Sequence, residues 1–68
     1  MNQIKIGKFI AECRKKKDMT QSQLAGKLNI TDKAVSKWET GKSIPYVSLF
    51  SDLCSILGIS LNELFVGE

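Results

Sequence analysis

The sequence predicts an all-α domain built from five short helices. Three observations carry that prediction. Apolar residues recur at helical spacing along almost the whole chain, and cap or stop residues bound each apolar stretch. No alternating strand pattern or hairpin dipeptide interrupts them. The chain has 68 residues, enough for one small domain. A chain of this size buries only about 60% of the surface it exposes when unfolded, so its stability margin is narrow.

The first helix shows in Ile6, Phe9, Ile10 and Cys13, which follow the i, i+3, i+4, i+7 spacing of one apolar face. Arg14, Lys15, Lys16 and Lys17 close it, where cations suit the negative end of the helix dipole. Thr20-Gln21-Ser22-Gln23 reads as a capping box that opens a second helix. Leu24, Ala25 and Leu28 form its inner face, and Asn29 tolerates the left-handed conformation that ends it. Thr31 caps a third helix, expected from about Asp32 to Thr40, with Ala34, Val35 and Trp38 on one side. That register makes Trp38 a core residue rather than a stacking platform. Gly41 is a good terminator, and Pro45 holds Ile44 extended in the following loop. A fourth helix is expected from Tyr46 or Val47 to Leu57, ending at Gly58. Ser60-Leu61-Asn62-Glu63 is a second capping box, opening a fifth helix that reaches about Phe65.

The composition excludes whole classes of chemistry. Histidine, the commonest general base and metal ligand, is absent. Cys13 and Cys54 are the two cysteines, and neither lies in a C-x-x-C pair. Both sit among apolar residues and read as buried free thiols. No enzymatic activity, metal or cofactor is expected. No apolar run approaches the roughly 20 residues of a membrane span, and the first residues lack the layout of a signal peptide. A cytosolic (cytoplasmic) protein is therefore the expectation, with no membrane partner.

Charge is unevenly placed. All ten basic residues lie at or before Lys42, against four of the seven acids. Residues 1–44 are therefore net +6 and residues 45–68 net −3. A one-sided basic half suits a polyanion. Within it, two short helices are separated by a tight turn, and the second is polar on its outer face. That is the layout of a helix-turn-helix, whose second helix enters the DNA major groove. Small Ala25 suits the approach of the two helices, and Leu24, Leu28, Ile30, Val35 and Trp38 suit the lock on their angle. An ordinary helical hairpin has the same spacing.

Three stretches resemble one family. They are Thr20–Ala25, then Val35-Ser36-Lys37-Trp38-Glu39-Thr40-Gly41-Lys42-Ser43-Ile44-Pro45, then Leu57–Leu64. Together they are similar to the signature stretches of the Cro/phage-repressor class of helix-turn-helix regulators, also called XRE-like. The resemblance implies a compact five-helix, lambda-repressor-like domain over residues 6–65, with the helix-turn-helix at about 21–40. It implies a sequence-specific transcriptional regulator, a repressor in most members, that binds a double-stranded DNA operator as a dimer. The alternative is an antitoxin-like module that uses the same fold to bind another protein.

The resemblance also assigns roles. Thr31, Asp32, Lys33, Ser36 and Lys37 occupy the positions that face the groove and read bases. Gln21, Thr40, Lys42 and Ser43 occupy phosphate-contact positions. Arg14 and Glu39 match an ion pair tying the first helix to the end of the third. Two departures stand out: Asn29 replaces a frequent glycine, and Asp32 places an acid where an amide or small polar residue is common. Asp32 in a first turn also suits the helix dipole without touching DNA. Leu49 and Ile56, seven positions apart on the fourth helix, read either as peripheral core or as a small stripe for a weak homodimer strengthened on DNA.

Overall fold

In the computed structural model, which describes residues 2–68, the chain is helical from Gln3. Helix α1 covers Gln3–Lys16, and the side chain of Asn2 caps it by accepting the Lys5 N–H at 3.0 Å. The helix therefore starts one turn before its apolar stripe. It stops at Lys17, and Asp18 turns the chain with φ 56°.

Helix α2, Gln21–Leu28, opens on a complete capping box. The Gln23 N–H donates to Thr20 Oγ1 at 3.0 Å, and the Thr20 N–H donates to Gln23 Oε1 at 2.8 Å. Asn29 ends it in the left-handed conformation, φ 56° and ψ 41°, so the turn forms without glycine. Helix α3, Asp32–Glu39, is capped by Thr31, whose Oγ1 accepts the Ala34 N–H at 3.2 Å. It ends one residue short of the expected Thr40, which serves as the C-cap.

Helix α4 spans Val47–Leu57 and stops at Gly58, φ 70°. Tyr46 stands at its N-cap and makes no side-chain cap bond. Helix α5, Leu61–Val66, opens on the second capping box, Ser60 with Glu63, and runs one residue past Phe65.

The helices enclose one core, in a body of about 25 × 23 × 22 Å. α1 crosses α3 and packs on α5, while α2 packs on α3 and α4. Ile10, Leu24, Val35, Leu53 and Leu64 are fully enclosed, and Trp38 and Ala25 are buried beside them. Each fully buried aliphatic side chain contributes roughly 1.5–3 kcal/mol of transfer free energy. Phe50 meets Phe65 edge to face, with centroids 5.4 Å apart, and so joins α4 to α5. Cys13 and Cys54 are buried free thiols. Burial pushes both above the ordinary thiol pKa, with Lys16 opposing the shift at Cys13 and Glu63 adding to it at Cys54.

One close approach sets the α1–α3 crossing. Gly7 is buried against the end of α3. A Cβ there would overlap the Trp38 carbonyl oxygen and lie 2.9 Å from its carbon. The glycine costs α1 about 1 kcal/mol in helix propensity, and lets the two backbones touch.

Leu49 and Ile56 are half-buried and pack against the core. The freely exposed apolar residues of this region are Val47, Leu61, Phe65 and Val66. Of these, Val47, Leu61 and Phe65 line a shallow groove between α4 and α5 that buried Phe50 and Cys54 also line.

Candidate nucleic-acid interface

The interface is organised by a polar node behind it. Arg14 on α1 donates from Nε to Glu39 Oε2 at 2.7 Å and from Nη2 to Glu39 Oε1 at 3.0 Å. Its Nη1 donates to the Met19 carbonyl at 2.7 Å. Glu39 Oε1 also accepts from Gln21 Nε2 at 3.0 Å. The two charged side chains are only 10% and 7% exposed, so the pair lies inside the protein. The hydrogen bond to Glu39 raises the Arg14 pKa further, against the opposing effect of burial. No buried side-chain donor or acceptor is left unpaired among the described residues. One acid thus joins α1, the first turn of α2 and the last turn of α3, and holds α3 at a set angle.

With its inner side fixed, α3 turns Asp32, Lys33 and Lys37 to solvent, and Ser36 lies half-exposed beside them. Side chains at these four positions make no hydrogen bond or ion pair among the described residues, so their polar groups are available to a ligand. The Thr31 hydroxyl accepts a cap bond, which leaves its proton free to donate. α3 is exposed along one side, and an α-helix with its side chains, about 10–12 Å across, fits a major groove about 12 Å wide.

The loop after α3 is drawn tightly against it. The N–H groups of Lys42 and Ser43 both donate to the Lys37 carbonyl, at 2.8 and 3.3 Å. Gln3 Nε2 donates to the Gly41 carbonyl at 2.7 Å, tying the loop to α1. The Thr40 hydroxyl turns back onto the Ser36 carbonyl at 2.8 Å, and its N–H uses the same acceptor. Its donors therefore close the helix end rather than face outward. Lys42 is exposed and Ser43 half-exposed. Gln21 spends one amide hydrogen on Glu39 and keeps a second.

Between α3 and the start of α4 lies an open cleft of about 470 Å³. Thr31, Lys33, Ala34 and Lys37 line it from α3 and its cap, and Ser43, Tyr46 and Leu49 from the loop and α4. The lining contains two lysines and no acid. Sequence reasoning missed both Tyr46 and Gly7. Tyr46 carried no motif. Gly7 carried one weak signal, a glycine inside a helical stripe, which marks a close approach without naming the partner.

Comparison with known proteins agrees with this geometry. A helix-turn-helix family model matches residues 10–64. Multiprotein-bridging factor 1 from Candida albicans is 34% identical over 65 residues, covering 96% of this chain and 43% of that protein. The HTH-type transcriptional activator BcrR from Enterococcus faecalis is 34% identical over 59 residues, covering 87% of this chain and 29% of that one. The chain thus spans less than half the length of these two relatives. The crystal structure of the restriction-modification controller protein C.AhdI from Aeromonas hydrophila superposes with a TM-score of 0.83 at 26% identity, covering 94% of this chain and 93% of that one. The capped helices, the tight Asn29 turn and the outward face of α3 are what such a match requires, and the chain belongs to the helix-turn-helix family, in its XRE-like branch.

Proposed function

We propose that this domain binds duplex DNA sequence-specifically and regulates transcription. The outer face of α3 carries the reading: two lysines and the Ser36 hydroxyl stand free on a helix whose other side is locked by buried contacts. Lys33, Ser36 and Lys37 read base edges, with Thr31 at the helix start. Asp32 accepts from a cytosine or adenine amine, or stays at the positive end of the α3 dipole. Lys42, Ser43 and the second amide hydrogen of Gln21 take phosphate oxygens. Thr40, the fourth residue that the resemblance assigns to the phosphates, stands beside them with its hydroxyl closing the end of α3 on the Ser36 carbonyl.

Repression needs only this interface, because a bound domain excludes other proteins from an overlapping site. BcrR, an activator by name, shows that the family also supports the opposite sign. Repression is our reading for this domain, and a reporter with the operator inside the promoter tests it: transcription must fall when the domain is expressed. Two copies on half-sites about 34 Å apart belong to the same reading. The exposed apolar residues Val47, Leu61 and Phe65 suit a small contact between copies better than the half-buried Leu49 and Ile56 do. So small an area gives weak association, which DNA strengthens by holding the copies together.

Selection of bound sites from random duplex DNA tests the reading. A preferred sequence, recovered as two related half-sites, is the expected result. Lys37→Ala then changes the preferred base at one position, at about 1–3 kcal/mol. Lys42→Ala weakens all sequences about equally and flattens the log–log salt slope by roughly one unit. No enrichment refutes DNA reading, and a single unpaired half-site refutes the pairing.

A further inference from the structure

Tyr46 has a surface position that the fold does not explain. Its side chain is 80% exposed, so it adds little to the core. It occupies an N-cap, where a short oxygen-bearing side chain is favoured, and it makes no cap bond. The caps of α1, α2, α3 and α5 each accept a backbone N–H. What Tyr46 does is line the cleft beside α3, together with Lys33, Lys37 and Ser43.

The cleft has the chemistry of a nucleic-acid strand. Its rim offers the Ser43 hydroxyl and the Tyr46 phenol to a phosphate, the positive field of Lys33 and Lys37 favours an anion beside the bases they read, and no carboxylate opposes one there. Apolar Ala34 and Leu49 suit the face of a sugar. A helix lying in a major groove is flanked on both sides by the sugar–phosphate backbones that border the groove, and one of them must pass the edge of α3 on this side.

We propose that a single sugar–phosphate strand lies in the cleft between α3 and the start of α4, and that the Tyr46 phenol donates a hydrogen bond to one of its phosphates. This assignment rests on the DNA-binding reading above and adds a residue to it. The phenol is a neutral donor on an aromatic lever long enough to reach past the cleft wall. Tyr46 thus contributes to affinity and register and carries no base preference.

A neutral donor leaves a distinctive mark. Counterion release counts neutralising cations, so loss of the phenol weakens binding without changing its salt dependence. The test uses the duplex selected with the parent protein. Tyr46→Phe is expected to bind it at least about tenfold more weakly, as for a lost hydrogen bond to a charged group. Random duplex should weaken in proportion, and the log–log salt slope should match the parent's, whereas Lys42→Ala flattens it. A scan of methylphosphonate substitutions then locates the partner. At one phosphate the neutral group weakens the parent and adds nothing further to Tyr46→Phe.

Parental affinity in Tyr46→Phe overturns the assignment and leaves the DNA reading intact. The same holds if Tyr46→Ala alone is weak, since the ring and not the hydroxyl would then hold the strand. Additive losses at every methylphosphonate also overturn it. If the parent selects no duplex at all, the DNA reading itself fails, and the assignment with it.

Discussion

Replacing Glu39 by alanine tests how the recognition helix is held. The change deletes a side chain that is 7% exposed and accepts three hydrogen bonds, two from Arg14 and one from Gln21. Arg14 keeps its bond to the Met19 carbonyl, but its charge remains in a site where the side chain is 10% exposed. Orphaning one member of a buried ion pair costs about 3–5 kcal/mol. At about 0.05–0.15 kcal/mol per residue, a domain of this length holds roughly 3–10 kcal/mol in all. Each kcal/mol moves the melting temperature of so small a domain by about 4–8 °C. Glu39→Ala is therefore expected to be largely unfolded near 37 °C. Trp38, the single tryptophan and 4% exposed, reports unfolding by fluorescence in a urea titration. The double variant Arg14→Met with Glu39→Leu removes both charges and should recover most of the loss, because desolvation of the pair offsets much of its attraction. An unchanged urea midpoint in Glu39→Ala would refute the reasoning. A double variant as unstable as the single one would show that the orphaned charge is not the cause.

Gly7→Ala should destabilise the domain even though alanine favours a helix by about 1 kcal/mol. The added methyl meets backbone and not a flexible side chain, so α1 and α3 must part, at a net cost of about 1–3 kcal/mol or more by overpacking; a stabilised Gly7→Ala would contradict the crossing described above. Both thiols are held above their ordinary pKa, so the native state keeps these protons to higher pH than the unfolded chain does. Their contribution to stability is full below about pH 8.5 and falls as pH rises past it. Labelling by a chromogenic disulfide reagent at pH 7.5 should accordingly follow global unfolding, and native-state labelling at the rate of a free thiol would contradict their burial.

The parts of the fold legible in the sequence are those decided within one turn of chain. Thr20 with Gln23 and Ser60 with Glu63 announce their helices because each box is closed by residues three apart. Val35 and Trp38 announce the inner side of α3 by the same local periodicity. What stayed hidden depends on which helices meet. Gly7 has meaning only once the end of α3 lies across it. Gln21 and Thr40 carry donors that suit phosphate, and only the packed chain shows that one amide hydrogen of Gln21 is spent on Glu39 and the Thr40 hydroxyl on the Ser36 carbonyl. Leu49 and Ile56 sit at the edge of an apolar arc, and only the neighbouring helices decide how far such an edge is covered, here about halfway. Tyr46 belongs to no local pattern, and its place emerges from the cleft that α3 and α4 form together.

Among the described residues, the side chains at the outer positions of α3 make no bond to the rest of the protein, while the residues that hold the helix lie behind it. If α3 reads bases as proposed, base preference and thermal tolerance are separable traits here. Asp32, Lys33, Ser36 and Lys37 can be exchanged as a set, by gene duplication or by a protein engineer, and the domain will melt much as before. On that reading the recognised sequence can drift through many intermediates that all fold, so a lineage built on this frame can acquire new operators one residue at a time.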